Sequence, residues 1–169
     1  IKPHLAIIRV GERPDDCSYE RGATKKMDKV GFDCTSYVFP QDITDEEFQK
    51  EFDKINNDDN IDGILLLRPL PKHINEKAIE ERINPVKDLD GISPINLAKV
   101  YAGDVNGFAP CTAEAVIEML DYAGIDLTGK RVTVVGRSLV IGKPVAMMLM
   151  KKNATVTVCH TKTKDMAGT

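Results

Sequence analysis

The chain has 169 residues, room for one ordinary domain or two small ones. Its 42% apolar and 29% charged content is that of a folded globular chain and excludes a disordered or membrane-embedded one. A net charge of −3 with scattered lysines gives no basic stripe for nucleic acid, and no apolar run approaches the roughly 18 residues a membrane helix needs.

Strand and helix signals alternate from the start. Leu5–Val10 is an apolar run ending at Gly11, the pattern of a strand buried on both faces. A helix is predicted from about Ser18 to Val30, stopped by Gly31. Within it, Tyr19 precedes Ala23 by one turn, so the two share a face. A buried tyrosine beside a small residue reads either as plain packing or as an active-site wall that has lost a reactive side chain. Thr35–Phe39 is a strand closed by Pro40. Thr44 and Glu47 form a capping box that opens a helix to about Asn56. Ile61–Leu67 is a third strand, stopped by Pro69 and Pro71, and Asn75–Ile83 a third helix ended by Pro85.

Strands separated by helices of this length imply parallel βαβ units. Residues 84–107 are looser, with a short helix near Ile95–Tyr101. Thr112 is placed as the cap of a helix over Ala113–Ala123, ended by Gly124. A second α/β pattern follows: strand Arg131–Val135, a glycine loop, helix Pro144–Lys151 and strand Ala154–Cys159. The domain boundary is expected near Pro110. The chain opens at Ile1-Lys2-Pro3 and closes at Met166–Thr169, each beside a strand, and is expected to be a piece of a longer protein.

The four cysteines (Cys17, Cys34, Cys111, Cys159) show neither CxxC nor zinc spacing. They are expected to be free, packed thiols in a reducing, cytoplasmic compartment, with no metal site.

The loop Gly136-x-Ser138-x-x-x-Gly142 joins a strand to a helix. Glycine there lets the backbone approach a pyrophosphate, and the helix N-terminus adds amides and a favourable dipole. It is a variant of the GxGxxG fingerprint, with serine at the middle glycine and one extra residue; a ligand-free tight turn would also need glycine. The next strand ends Cys159-His160-Thr161-Lys162, without the acid that usually binds the ribose of NAD. Arg137, Lys162 and Lys164 make a basic rim that suits a 2′-phosphate; the plain alternative is a solvated cluster.

The stretches Asn84–Gly103 (NPVKDLDGISPINLAKVYAG), Pro110–Val116 (PCTAEAV) and Val134–Ala146 (VVGRSLVIGKPVA) occur in that order, flanked by VGERPDDCSY and ATVTVCHTKT. Together they resemble the methylenetetrahydrofolate dehydrogenase/cyclohydrolase family over essentially the whole chain. The resemblance implies an α/β protein: a three-layer βαβ folate-binding catalytic domain over 1–110, lacking its first helix, then part of a Rossmann-like NAD(P)-binding domain over 111–169. It implies a substrate cleft between the domains, and a homodimer. Matched residue by residue, Tyr19 is the family tyrosine against the folate ring and Asp90 the aspartate that hydrogen-bonds the pterin; the plain reading of Asp90 is a turn residue before Gly91. Gly136, Arg137, Ser138 and Gly142 match the phosphate loop. His160 and Thr161 match contacts to the adenosine ribose or its phosphate.

The departures bear on activity. The family's catalytic lysine stands four residues after the tyrosine, where this chain has Ala23. Its assisting glutamine is Leu67, followed by Arg68 in place of leucine, and the serine three residues before the tyrosine is Asp16. Lys25 and Lys26 are expected to point off the Tyr19 face. The implied activity is oxidation of 5,10-methylenetetrahydrofolate to the methenyl form by hydride transfer to NAD(P), with NADP preferred to NAD, in one-carbon metabolism. Cyclohydrolase activity is expected to be lost, leaving the product to a separate cyclohydrolase. The alternatives are a bifunctional enzyme that also makes 10-formyltetrahydrofolate, and a nucleotide-binding module without turnover.

Overall fold

A computed structural model describes residues 2–169. The chain divides into two compact units, Ile1–Ser93 and Pro94–Thr169. The onset of the second α/β pattern had led to the expected boundary near Pro110; the division falls earlier, between Ser93 and Pro94, in the looser stretch of the chain.

In the first unit β1 (His4–Val10) is central, flanked by β2 (Asp33–Phe39) and β3 (Gly63–Leu66), all parallel, in the order β2-β1-β3. The register places Leu5 opposite both Cys34 and Gly63. Alternate residues of β1 enter two different cores, as expected of a strand buried on both faces. Ala6, Ile8 and Val10 face a core with Phe48 and Phe52 of α2 (Asp45–Asn56) and Ile79 of α3 (Glu76–Arg82). Leu5 and Ile7 face Ala23 and Met27 of α1 (Pro14–Val30). The unit is therefore a helix–sheet–helix sandwich, the three-layer arrangement read from the sequence.

Several boundaries differ from the prediction. The first helix starts four residues before Ser18, because Pro14 at its first position has a preset φ and Asp15 and Asp16 favour the N-terminal dipole. The third strand is shorter than Ile61–Leu67. The Thr44–Glu47 capping box is present with both reciprocal hydrogen bonds.

The second unit contains α4 (Pro94–Ala102), α5 (Cys111–Tyr122), β4 (Arg131–Val135), α6 (Gly142–Lys151) and β5 (Thr155–Cys159). The strands pair in parallel, Arg131 opposite Thr155. Ala113, Ile117, Val145 and Leu149 form its core with the inward residues of both strands. Thr112 does not cap α5. Pro110 is the N-cap, without a side-chain bond, and its carbonyl accepts from Ala113 and Glu114 at 2.8 and 3.1 Å. All four cysteines are free, but Cys111 is exposed at the helix start, not packed as expected. No described helix is long and apolar enough to cross a membrane.

Candidate functional site

In a parallel sheet the strand ends at the carboxyl edge form the natural ligand side. In the first unit the chain leaves β1 there, turns at Gly11 (φ 76°) and enters α1. Arg13, at the N-cap, donates to the Pro69 carbonyl at 2.9 Å and so ties the start of α1 to the segment after β3. Leu67, the first residue past β3, donates its N–H to Ile8 O at 2.9 Å.

Tyr19 is 57% exposed, so the expectation of a buried tyrosine is corrected. The inward stripe of α1 in the second core is Ala23 and Met27; Tyr19 lies one turn nearer the N-terminus, past the end of that cluster. Ala23 itself packs in one apolar cluster with Leu5, Ile7 and Leu67. The two positions that carry lysine and glutamine in the family motif are therefore brought together here, as hydrocarbon. Lys25 does point elsewhere, lining a surface cleft with Arg9, Glu20 and Ser36. Lys26, expected off the Tyr19 face, falls back near it. Seven residues at 100° return it to within about 20° of Tyr19, and what separates them is about 10 Å of helix rise.

Asp90 is placed by a backbone bridge and two side-chain anchors of the residues before it. Asp88 pairs with Ile64 as a parallel bridge, so residues 87–89 run alongside β3 and carry Asp90 toward its carboxyl end. The buried Lys87 ammonium donates to the carbonyls of Asn56 (3.0 Å) and Asp58 (2.8 Å) just past α2, where the helix dipole is negative. The fully buried Asp88 carboxylate accepts from the N–H groups of Ile92 (3.0 Å) and Ser93 (2.8 Å). Gly91 has φ 60°, so Asp90 also stands in a tight turn, as the plain reading held. Its carboxylate lies 3.9 Å from the Arg68 guanidinium, which pairs in turn with Glu80 (2.9 Å) and Glu76 (3.5 Å). Lys87 and Asp88 were not singled out as site residues, though the KDLDG spacing could have flagged them; Arg68 was noted only as a departure from the family leucine, and nothing local pointed to its partners.

In the second unit Gly136, at the end of β4, has φ 134°, a conformation that favours glycine. Its N–H donates to Cys159 O at 2.8 Å, which holds the loop against the end of β5, beside His160 and Thr161. Gly142 serves close packing. A Cβ there would lie 2.3 Å from Gly136 O, so only glycine lets the helix start touch the strand end. Ser138 Oγ accepts from the amides of Ile141 (3.1 Å) and Gly142 (3.4 Å), which explains why α6 begins before Pro144. The N-cap of α6 is Ile141, without a side-chain cap, and the serine upstream of it occupies amides that the sequence reading reserved for phosphate. Arg137 is exposed and makes no ion pair among the described residues. His160 is half-buried, its Nδ1 accepting from Lys162 N–H at 3.1 Å, and Thr161 is exposed. These residues form one rim at the carboxyl ends of β4 and β5. Among the described residues no group of three His, Cys, Asp or Glu converges to hold a metal.

Comparison with known proteins covers both units. The tetrahydrofolate dehydrogenase/cyclohydrolase catalytic-domain profile matches residues 1–90, and the NAD(P)-binding-domain profile of the same family matches 110–169. Bifunctional protein FolD of Clostridioides difficile is 52% identical over 168 residues, 99% of this chain and 58% of the relative. The crystal structure of the Campylobacter jejuni bifunctional enzyme FolD, a methylenetetrahydrofolate dehydrogenase/cyclohydrolase, superposes with a TM-score of 0.94 at 39% identity, covering 98% of this chain and 58% of that one. The Trypanosoma brucei enzyme, solved with NADP cofactor and an inhibitor, gives 0.89 at 37% identity, covering 96% and 55%. The chain thus spans under three fifths of the length of these relatives. Over that span both of its units match in family order, and the chain belongs to the tetrahydrofolate dehydrogenase/cyclohydrolase family.

Proposed function

We propose that this protein is a 5,10-methylenetetrahydrofolate dehydrogenase that lacks the cyclohydrolase step. Residues 1–110 supply the folate half and 111–169 the cofactor half. Tyr19 packs on the folate ring, and Asp90 accepts hydrogen bonds from the pterin. Gly136, Arg137, Ser138 and Gly142 form the phosphate loop, with His160 and Thr161 at the adenosine ribose. The fit of that half to a dinucleotide rests on the glycine contact between strand end and helix start and on the exposed Arg137, with no acid after β5. These features favour NADP, which accepts the hydride when bound. The NADP-bound relative supports the same choice.

The observation that carries the reading is that Ala23 and Leu67 belong to one apolar cluster, with Leu5 and Ile7. Hydride loss from the one-carbon bridge leaves a cation that the folate nitrogens stabilise, so ring orientation suffices and no protein base is required. Ring opening adds water to that cation and needs a group that takes and returns protons. Two hydrocarbon side chains in one apolar cluster offer no such group and help exclude water. The product then passes to a separate cyclohydrolase. The reading extends to a homodimer, as the family resemblance implies, and to a cytoplasmic setting, supported by four cysteines that form no disulfide.

A bifunctional enzyme is the second reading, favoured by the name of the 52% identical relative. The test uses the full-length protein with methylene- and methenyl-folate supplied separately. The expected result is NADPH formation from the first and no opening of the second beyond the buffer rate. Rapid enzyme-dependent opening would overturn the loss of the cyclohydrolase step, and absence of NADPH formation would overturn the dehydrogenase itself.

A further inference from the structure

We propose that Arg68 is a positioning residue that fixes the folate-binding carboxylate of Asp90; the assignment rests on the folate reading above. Arg68 stands where the family motif carries leucine, so the device belongs to this chain's own sequence.

The geometry is that of a bridge. The Arg68 side chain is only 18% exposed, and a guanidinium in such a setting needs partners to offset its lost hydration. Its Nη1 end meets Glu80 Oε1 at 2.9 Å and Glu76 Oε1 at 3.5 Å, both on α3. Glu76 is itself fixed, since its other oxygen accepts the Leu70 N–H at 2.8 Å. The guanidinium is planar and rigid, so anchoring Nη1 on a helix also sets where Nη2 lies. Nη2 is 3.9 Å from Asp90 Oδ2. That is ion-pair distance, too long for a direct hydrogen bond. The cation orients the carboxylate by charge without taking up its acceptor positions. Nε is buried and has no hydrogen-bond partner among the described residues, so the side chain is held through its two Nη ends.

Asp90 is thereby restrained twice. Lys87 and Asp88 pin its backbone turn, and Arg68 pulls on its carboxylate. An aminopyrimidinone edge presents two parallel N–H donors, and a carboxylate meets both only in one orientation. A freely rotating aspartate would lose part of its binding to ordering at each encounter.

The test is a double-mutant cycle in the full-length enzyme, read as dissociation constants for unreactive tetrahydrofolate and for NADP, with thermal midpoints alongside. Arg68→Met should weaken tetrahydrofolate about tenfold and leave NADP unchanged, a modest loss because the pair is partly solvated. Arg68→Lys keeps the charge but cannot span from Glu80 to Asp90, and should lose about threefold. In an Asp90→Asn background either change should cost less than about twofold, because the two residues act as a unit. Equal losses in both backgrounds, or a parallel loss of NADP affinity, would show a merely structural arginine and overturn the proposal. Where Arg68→Met does not fold, the lysine variant in the two backgrounds decides. Wild-type that binds tetrahydrofolate without oxidising methylene-folate would overturn the dehydrogenase reading while the cycle still decides for Arg68. Wild-type that binds no folate would overturn both.

Discussion

The Arg9–Glu20 pair shows how much one contact can carry. The side chains are 13% and 14% exposed and join β1 to α1, the helix that bears Tyr19 and Ala23. Burial pushes the Glu20 carboxyl up, but hydrogen bonds from Ser36 and Arg9 outweigh it and hold it below the ordinary carboxylate value. A carboxyl lowered in the folded state stabilises fully above its unfolded value of about 4.3, and that contribution is lost as pH falls through the lower folded value. Glu20→Gln leaves a buried guanidinium short of its partner and should cost about 2–4 kcal/mol at neutral pH, judged by similar broken pairs. Urea unfolding at several pH values checks this: the gap to wild-type should close on acidification below about pH 4. A gap that stays constant with pH would show that charge is not the cause. Arg137 carries the cofactor prediction. Arg137→Ala should weaken NADP by about 1.5–3 kcal/mol, the worth of a charged hydrogen bond, and leave NAD nearly unchanged. Equal losses for both cofactors would remove Arg137 from the 2′-phosphate.

Among the elements, α2 and α6 start by different means. The first has the reciprocal Thr44–Glu47 box. Thr44→Ala removes an acceptor from the Glu47 N–H and should cost about 1 kcal/mol in urea unfolding, with no effect on either ligand. The second starts against the end of β4, where glycine is required by contact. In Gly142→Ala the added carbon meets the Gly136 carbonyl, a backbone atom that cannot swing aside. A loss of about 1–3 kcal/mol is expected, as for other overpacked sites. NADP affinity should fall with it, because the loop must move off the strand end. Native stability together with native NADP affinity would show that the contact relaxes at no cost and that Gly142 does not set the loop.

For the molecule as a whole, acidity is the telling variable. Backbone hydrogen bonds hold Asp45, Asp58, Asp104 and Asp126 below the ordinary carboxylate range, and the Thr44 hydroxyl does the same for Glu47. They lie in both units. Each contributes stability above its unfolded pKa and loses it as pH falls through its lowered value. Glu80 opposes them. Burial raises its carboxyl despite Arg68, so its proton returns first on acidification and relieves a cost. The lowered groups outnumber it. The urea midpoint should hold from neutral pH to about 5 and fall below about 4. A midpoint that rises on acidification to about pH 3 would mean that raised groups such as Glu80 dominate.

The sequence by itself determined the order of strands and helices, the capping box, the glycine stops and the glycine loop. Each of these signals is carried by neighbours within one or two turns, so pattern alone reveals it. The same holds for the motif residues Tyr19 and Asp90, legible by resemblance, and for the loss of lysine at Ala23. Only the tertiary structure decided what those positions touch. Ala23 joins the apolar cluster of Leu67, Arg68 spans from α3 to Asp90, Lys87 clamps the end of α2, and Gly142 rests on Gly136. Ser138 likewise turned out to accept from the amides of Ile141 and Gly142, and Tyr19 to be exposed. These partners depend on sheet register and on how each helix lies against the strands. Periodicity encodes which face of an element is apolar, but not which residue of another element that face will meet.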